Sequence, residues 1–289
     1  MLDVRPPAPL ARAGIETPAA AAYSAWSPAP LVRASLLLHG AAALGFALRP
    51  GAWPWAAGAV LANHALIAAA GLWPQSPLLG PVLARLPDGA ARQGLVALTF
   101  DDGPDPAVTP SVLGLLAAHG ATASFFCVGR RARAEPALVR EIARAGHSIE
   151  NHTDRHPFGF AFYGLGRLGR EIAAAQASLA ALAGAPPRFF RAPMGFRSPL
   201  LDPVLHRAGL AAAAWTRRGH DCFRRDPGVV LRHLTRGLRG GDILLLHDGS
   251  CARTVAGEPV VLAVLPRLLA ALRAQGLRAV SLPRAMAAD

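Results

Sequence analysis

The sequence predicts an α/β fold in which a barrel of parallel strands follows an N-terminal membrane-helix segment. From residue 94 onward, short apolar runs alternate with helical stretches, which is typical of repeated strand–helix units. Residues 31–75, by contrast, contain two long apolar stretches with very little charge. A chain of 289 residues can bury one large core, so we expect one barrel domain with an N-terminal extension.

The N-terminal extension divides into a tail and a hairpin. Residues 1–30 are rich in Pro and Ala without a helical or strand period, which predicts a flexible tail. The apolar stretches run from Ala34 to Leu48 and from Trp53 to Trp73, and the second is long enough to cross a bilayer. We therefore predict a transmembrane hairpin over residues 31–75, embedded in the lipid of the cell membrane. The alternative is a buried helical pair packed on the barrel.

Two further sequence features bear on the hairpin. Asn63 and His64 are polar residues inside the second stretch, and in a hairpin they should face the partner helix. Arg49 is the one arginine between the stretches, so the two flanks of the hairpin are richer in arginine than its loop. The positive-inside rule places the arginine-rich flanks in the cytoplasm. If both stretches span, the barrel is therefore cytoplasmic, and if one spans, the barrel lies outside. The flanking arginines are Arg5, Arg12, Arg33, Arg85 and Arg92.

The rest of the chain is interpreted as a linker over residues 76–93 and a barrel domain over residues 94–289. The clearest helix of this domain is predicted over Gly166–Ala183, because Gly184 and two prolines end it. Seven parallel strands are expected, which predicts a barrel or a barrel-like sheet. They are Leu95–Phe100, Thr122–Val128, His147–Asn151, Arg188–Phe190, Leu210–Trp215, Asp242–Leu246 and Arg278–Leu282.

Polar side chains of the kinds that bind metals or transfer protons follow five of these apolar runs. Because the C-terminal ends of parallel strands lie on one face of a barrel, we expect these side chains to converge there. They are Asp101 and Asp102, His152 and His156, Arg191, Asp221, and His247 with Asp248.

The two histidines and the aspartate pair predict a catalytic metal site. A spacing of four residues places His152 and His156 one helical turn apart, so both imidazoles could reach one ion beside a carboxylate. Such a three-ligand site leaves coordination positions open for water and substrate. Zinc is the default ion, and cobalt, manganese and iron accept the same ligands. Taken singly, each residue could instead cap a turn or belong to the core.

This set of residues predicts hydrolysis of an amide. A divalent ion polarises a carbonyl and lowers the pKa of its water, as attack on an unactivated amide requires. Asp101 could accept the proton of that water, with Arg191 keeping it ionised. His247 could protonate the departing amine, with Asp221 as the partner that orients its ring.

Together these segments resemble the polysaccharide deacetylase family, which is also described as the NodB-homology domain or carbohydrate esterase family four. The likeness covers residues 94–283. Asp221 is the best match to the fourth motif, which is loose in this chain. Residues Thr99 to Pro104, His152 to His156, Phe190 to Gly195 and Leu244 to Asp248 are similar to the first, second, third and fifth motifs.

The resemblance implies a distorted seven-stranded α/β barrel and removal of an N-acetyl group from an amino sugar. It implies that Asp101 is the general base, steadied by Arg191, and that His247 is the general acid. Met194 stands where family members often have an aromatic residue, and its backbone N–H would help to hold the oxyanion. The implied metal ligands are Asp102, His152 and His156.

Substrate and partners follow less directly from the sequence. An enzyme held at a bilayer meets lipid-linked sugars readily, so a lipid-linked or cell-envelope glycan is the expected substrate. An O-acetyl esterase or a deformylase could use the same residues, and an inactive membrane-anchored sugar-binding protein is a further alternative. The net charge of +12 comes from scattered arginines, so no specific nucleic-acid partner is expected. The sequence indicates no particular oligomeric state.

Overall fold

The computed structural model of the protein describes residues 26–288. Most of the predicted tail, residues 1–25, lies outside the described residues. The described helices are α1 Pro30–Leu48, α2 Trp53–Leu72, α3 Asp88–Arg92, α4 Thr109–Ala118, α5 Gly129–Ala134, α6 Pro136–Arg144, α7 Leu165–Ala183, α8 Leu201–Ala208, α9 Pro227–Thr235, α10 Val260–Ala274 and α11 Leu282–Met286. The described strands are β1 Leu95–Asp101, β2 Ser124–Cys127, β3 Ser148–Asn151, β4 Phe189–Phe190, β5 Ala211–Ala212, β6 Arg217–Arg218, β7 Ile243–His247 and β8 Arg278–Val280.

The strands form one parallel sheet in the order β5-β4-β3-β2-β1-β7-β6, with β8 paired to the first half of β1. The sheet curls into a half-barrel with helices around it, which confirms the predicted α/β fold class. Each predicted strand is present, in most cases shortened. The described residues add an eighth, β6, which pairs with β7 through Arg217 and Arg218. Two arginines carry no apolar signal, so this strand could not be read from hydrophobicity.

Successive side chains of β1 point alternately to the two faces of the sheet. Val96, Leu98 and Phe100 pack into the cluster between the sheet and the outer helices. Leu95 and Ala97 belong to a second cluster on the opposite side, which also holds Trp215 and Leu245. Because successive side chains of a strand point to opposite faces, Thr99 and Asp101 continue the interior row.

The register of the sheet brings the strand ends to one level. Asp101 is the partner of Phe126 in β2 and of His247 in β7. Asn151, the last residue of β3, is the partner of Cys127 and of Phe190. The loops that leave β1, β3, β4 and β7 therefore start side by side at one face of the half-barrel.

Residues 83–86, which the sequence assigned to a linker, form part of the barrel wall. The N–H of Leu83 donates to the carbonyl of Ala212, and the carbonyl of Leu83 accepts from Ala214, beside β5. The N–H of Leu86 donates to the carbonyl of Gly241, just before β7. Arg85 pairs with the buried Asp242 at 2.8 Å. Residues 83–86 therefore connect the region beside β5 with the start of β7, two strands that do not pair with each other in the sheet.

The first two helices form an antiparallel hairpin. Both are long and apolar enough to cross a membrane, and their side chains are largely exposed instead of buried against the barrel. Asn63 Nδ2 donates to Ser35 Oγ at 2.8 Å, and the rings of His39 and His64 meet edge-to-face at 5.1 Å. The expectation that Asn63 and His64 face the partner helix is confirmed.

Both ends of the hairpin contact the barrel. Before α1, the indole N–H of Trp26 donates to Asp202 at 2.8 Å. At the end of α2, the carbonyl of Gly71 accepts from the N–H of Arg197 at 3.1 Å. Gly71 is buried there, and a Cβ on it would collide with the Arg197 carbonyl. These contacts lie at the start of α1 and the end of α2, so the loop that connects the two helices is at the other end of the hairpin.

Candidate active site

Asp101 and Asp102 leave β1 in different directions. Asp101 is the last residue of the strand and is buried, whereas Asp102 has a φ of 74°. This left-handed backbone turns the chain, so the two neighbouring carboxylates face different partners. Asp101 Oδ1 accepts from Arg191 Nη1 at 2.6 Å. Asp102 Oδ1 lies 3.4 Å from His152 Nε2 and 3.2 Å from His156 Nε2.

The two histidines do not lie on a helix, so the helical-turn argument for their spacing was wrong. The chain turns sharply after β3, with φ values of 66° at Thr153 and 53° at His156. Asn151 Oδ1 accepts from the N–H of Thr153, and Thr153 Oγ1 accepts from the N–H of His156. These side-chain bonds to the backbone hold a compact turn. The turn brings the two rings to 4.8 Å between centroids, so the expected convergence exists for a different reason.

Asp102, His152 and His156 each offer one ligand atom, and these atoms lie within 4.8 Å of one another. The Nδ1 of His152 lies 2.8 Å from the Arg191 carbonyl, so it carries the proton and Nε2 faces the carboxylates. Burial lowers the pKa of His156 to about 4, so this ring is neutral, as a ligand must be. Burial opposes ionisation of Asp102, but the hydrogen bond and charge of the His152 ring outweigh it and hold the pKa of Asp102 well below the usual range. One oxygen and two imidazole nitrogens fit zinc and similar divalent ions.

Arg191 is buried, and its guanidinium is held in the site by several hydrogen bonds. Its Nη1 bonds both Asp101 and Thr99 Oγ1, and its Nη2 donates to the carbonyl of Ala214 at 2.9 Å. The guanidinium also lies over the Phe126 ring, 4.0 Å from its centroid. An unpaired buried charge would be costly, and this environment instead pairs Asp101 with a fixed cation.

His247 and Asp221 form the second buried pair. His247 Nδ1 lies 2.9 Å from Asp221 Oδ1, and the His247 N–H donates to Asp221 Oδ2 at 2.8 Å. Burial favours the neutral ring, but the Asp221 carboxylate outweighs it and raises the pKa of His247 to about 9. The imidazole is thus protonated near neutral pH, with Nε2 as its remaining donor. The structure brings together the pair that the loose fourth motif indicated.

Met194 lies in the tight turn after β4, two residues beyond Ala192, with a φ of 56°. Gly195 follows at a φ of 78°, between the Trp215 ring and Pro74. The site of a Cβ on Gly195 would lie 2.5 Å from Trp215 and 2.8 Å from Pro74. The Met194 backbone is therefore held by close packing from the barrel on one side and from the hairpin end on the other.

Known proteins match this arrangement of sequence and fold. A sequence model of polysaccharide deacetylases matches residues 88–213. A chitooligosaccharide deacetylase of Sinorhizobium fredii is 34% identical over 208 residues, which are 70% of this chain and 96% of the relative. The chain belongs to the polysaccharide deacetylase family. This places it among hydrolases and confirms the resemblance read from the motifs.

Two further members of the polysaccharide deacetylase family extend the comparison. A peptidoglycan-N-acetylglucosamine deacetylase of Bacillus cereus is 33% identical over 192 residues, covering 66% of this chain and 87% of the relative. The solved structure of a family 4 carbohydrate esterase from Streptomyces lividans, in complex with acetate, is 32% identical with a TM-score of 0.58. The match covers 64% of this chain and 91% of that one.

Sequence reasoning missed several residues that build this deacetylase-family site. Thr99 and Trp215 help to place Arg191, and Asn151 holds the turn that carries the histidines. Asp248 was noted in the sequence but given no role. It is buried beside Gly103 and accepts from Thr109, and burial raises its pKa to about 7. Asn151 and Asp248 stand at strand ends, whereas Thr99 lies within β1 and Trp215 lies between β5 and β6. Only their contacts in the folded structure reveal what these four residues do.

Proposed function

We propose that this chain is a metal-dependent hydrolase that removes an N-acetyl or similar small acyl group from an amino sugar. The observation that carries the proposal is the convergence of Asp102, His152 and His156 next to a buried Asp101–Arg191 pair. The two curated relatives are named for deacetylation of chitooligosaccharide and of peptidoglycan N-acetylglucosamine, which supports an amino-sugar substrate.

In this proposal Asp102, His152 and His156 hold one divalent ion, with zinc the default and cobalt, manganese or iron as alternatives. When bound, the ion supplies Lewis-acid polarisation of the acyl oxygen and acidifies water. Asp101 accepts the proton of the attacking water through Oδ2, because Oδ1 is engaged by Arg191. His152 Nε2 lies 3.9 Å from Asp101 Oδ2, so this oxygen faces the same space as the ligand atoms.

His247 acts on the amine side of the scissile amide, and Met194 acts on its carbonyl side. The protonated His247 donates its Nε2 proton to the departing amine, and Asp221 keeps the ring oriented and charged. The backbone N–H of Met194 donates to the oxyanion that forms on the acyl carbonyl. A backbone donor works with any side chain, so Met194 could retain this role while its thioether changes the shape of the sugar pocket.

The hairpin supports a substrate at a membrane. We propose that α1 and α2 span the bilayer and that the substrate is a lipid-linked or cell-envelope amino sugar. In this proposal the barrel lies on the cytoplasmic side, which the arginines on both flanks of the hairpin support under the positive-inside rule. A deacetylase held there would meet the headgroup of a lipid-linked sugar without leaving the surface.

The decisive experiment incubates metal-loaded, full-length protein with lipid-linked and free N-acetyl, N-formyl and O-acetyl sugars and identifies the released acid by mass. We expect acetate from the amides, with the lipid-linked sugar preferred. Acetate released from esters alone would make the protein an esterase, and formate alone would make it a deformylase. Sugar binding without release of any acid would instead support an inactive binding protein.

Asp101→Asn tests the proposed base in the same assay. Loss of general-base catalysis should lower turnover about 10²- to 10⁴-fold. Asp102→Asn, one residue away, should instead lose the ion, because it removes a charged ligand. Metal content measured on both purified variants separates the two effects. Unchanged turnover in Asp101→Asn would assign the base to another group.

A further inference from the structure

The turn that follows the candidate metal ligands exposes large apolar side chains next to the site. Phe158 and Phe162 are 86% and 92% exposed, whereas Phe160 between them is 1% exposed. Phe160 packs against Phe190, with 5.7 Å between ring centroids. Phe160 therefore anchors the turn, while Phe158 and Phe162 extend into solvent. Packing within this domain does not explain why two large apolar side chains are exposed there.

A second loop contributes to the same surface. Phe196 and Leu200, in the segment after Met194, are exposed, and so is Leu165 at the start of α7. The two loops share one small core, because Phe160 and Leu201 belong to the same buried cluster. We call this surface the aromatic rim, and its members are Phe158, Phe162, Leu165, Phe196 and Leu200.

The aromatic rim adjoins the hairpin through the chain itself. Arg197, next to Phe196, donates its N–H to the carbonyl of Gly71 at the end of α2. Asp202, two residues beyond Leu200, accepts from the indole of Trp26 just before α1. Phe196 and Leu200 thus lie close in the chain to residues that contact the bases of both helices that are long enough to cross a membrane.

Cationic side chains border the rim. Residues 155–171 contain three arginines and one glutamate, so this stretch is net positive. Arg155, Arg167 and Arg170 are exposed, and Arg167 lies over the Tyr163 ring, 3.7 Å from its centroid. Exposed aromatic and leucine side chains beside arginines suit a surface of anionic headgroups. The five side chains of the rim have no polar group that could bind the hydroxyls of a sugar.

We propose that the aromatic rim is a second membrane contact, in which these side chains enter the interface of a bilayer with anionic phospholipids. The inference rests on the proposed placement of the hairpin in the membrane. The mouth of the site then opens at headgroup level, where the sugar of a lipid-linked substrate is located. The hairpin holds the protein at the membrane, and the rim sets the tilt of the barrel on it.

The test uses full-length protein in nanodiscs of phosphatidylcholine and phosphatidylglycerol. Phe162→Cys carries an environment-sensitive fluorophore, and Gln275→Cys is the control, because Gln275 is exposed at the end of α10, on the face of the half-barrel opposite the strand ends that carry the site. Unsubstituted protein labelled in parallel gives the background from the partly exposed Cys222 and Cys251. We expect a blue shift and quenching by spin-labelled lipid at position 162 and neither effect at position 275.

Each of the other possible outcomes would contradict a different part of the proposal. Water-like emission at position 162 in protein that co-purifies with discs would overturn the rim proposal and leave the hairpin intact. Protein that fails to enter discs would overturn the membrane placement on which the rim depends. A blue shift caused by soluble chitooligosaccharide in the absence of lipid would make the rim a sugar platform.

A paired activity measurement tests the consequence for the substrate. Phe158→Ser combined with Phe162→Ser should raise KM several-fold for a lipid-linked substrate in discs and leave kcat/KM for a soluble N-acetyl sugar unchanged. An equal loss on both substrates would contradict the proposal.

Discussion

Asp221 contacts His247 through both of its carboxylate oxygens, so it orients the ring and charges it at the same time. A general acid must carry its proton before it can donate it. Because the pKa of His247 is raised to about 9, the acid form persists above neutral pH and is lost as the pH rises through that value. The alkaline limb of the rate profile should report this loss.

Asp221→Asn should move the alkaline limb of kcat to lower pH, since it removes the negative charge and leaves one oxygen to accept from either the His247 ring or the His247 N–H. A cation held by the proposed ligands would lower the pKa of His247 in both proteins, so the comparison concerns the difference between the two alkaline limbs. The measurement is kcat against pH on one amide substrate. The acidic limb should stay in place, and an alkaline limb that does not move would exclude His247 as the titrating acid.

Residue chemistry was the most predictable part of the site. Asp101, Asp102, His152 and His156 could be read from the sequence because carboxylates and imidazoles directly after apolar runs have few structural uses in combination. Their roles remain predictions, whereas their proximity is a property of the structure. Thr99 and Trp215 could not be found in this way, because a threonine or tryptophan in an apolar run is ordinary core.

Among the elements, the α7 helix was predicted well and the histidine turn was not. The helix has a long apolar period and ends at Gly184, which adopts the left-handed C-cap conformation with a φ of 76°. The turn after β3 depends on two side-chain bonds to the backbone, from Asn151 and Thr153, and no periodicity announces such bonds. Spacing alone gave the right residues and the wrong geometry.

The end of α2 has an effect on the site that its apolar sequence does not reveal. Gly71→Ala places a methyl group against the Arg197 carbonyl, so the segment after Met194 must shift. We expect a loss of about 1–3 kcal/mol in stability and a fall in turnover of up to about a hundredfold, because the proposed oxyanion donor, the backbone N–H of Met194, is displaced.

Gly58→Ala is the matched control for Gly71→Ala, because it lies in the same helix with open space around the added carbon. It should leave turnover unchanged. Initial rates of both variants, in the same lipid or detergent, provide the comparison. Equal rates in the two variants would show that the hairpin end does not position the site.

For the whole molecule, the hairpin fixes a topology. Both of its ends contact the barrel, through Trp26 and Gly71, so a spanning hairpin must place its connecting loop on the opposite side of the membrane. A cysteine in place of Gly51 should react with an impermeant reagent from outside intact cells, whereas one in place of Val255 should react only after permeabilisation. The reverse pattern would place the barrel outside. Reaction of both from one side would exclude two spans.

The wall segment at residues 83–86 also determines where this protein can be shortened. A version that starts at residue 94, where the strand–helix pattern begins, would lack the chain that pairs with Ala212 and Ala214. Unpaired backbone at a sheet edge is a template for association between molecules. A soluble fragment should therefore start before residue 82, and fragments with later starts should aggregate on refolding.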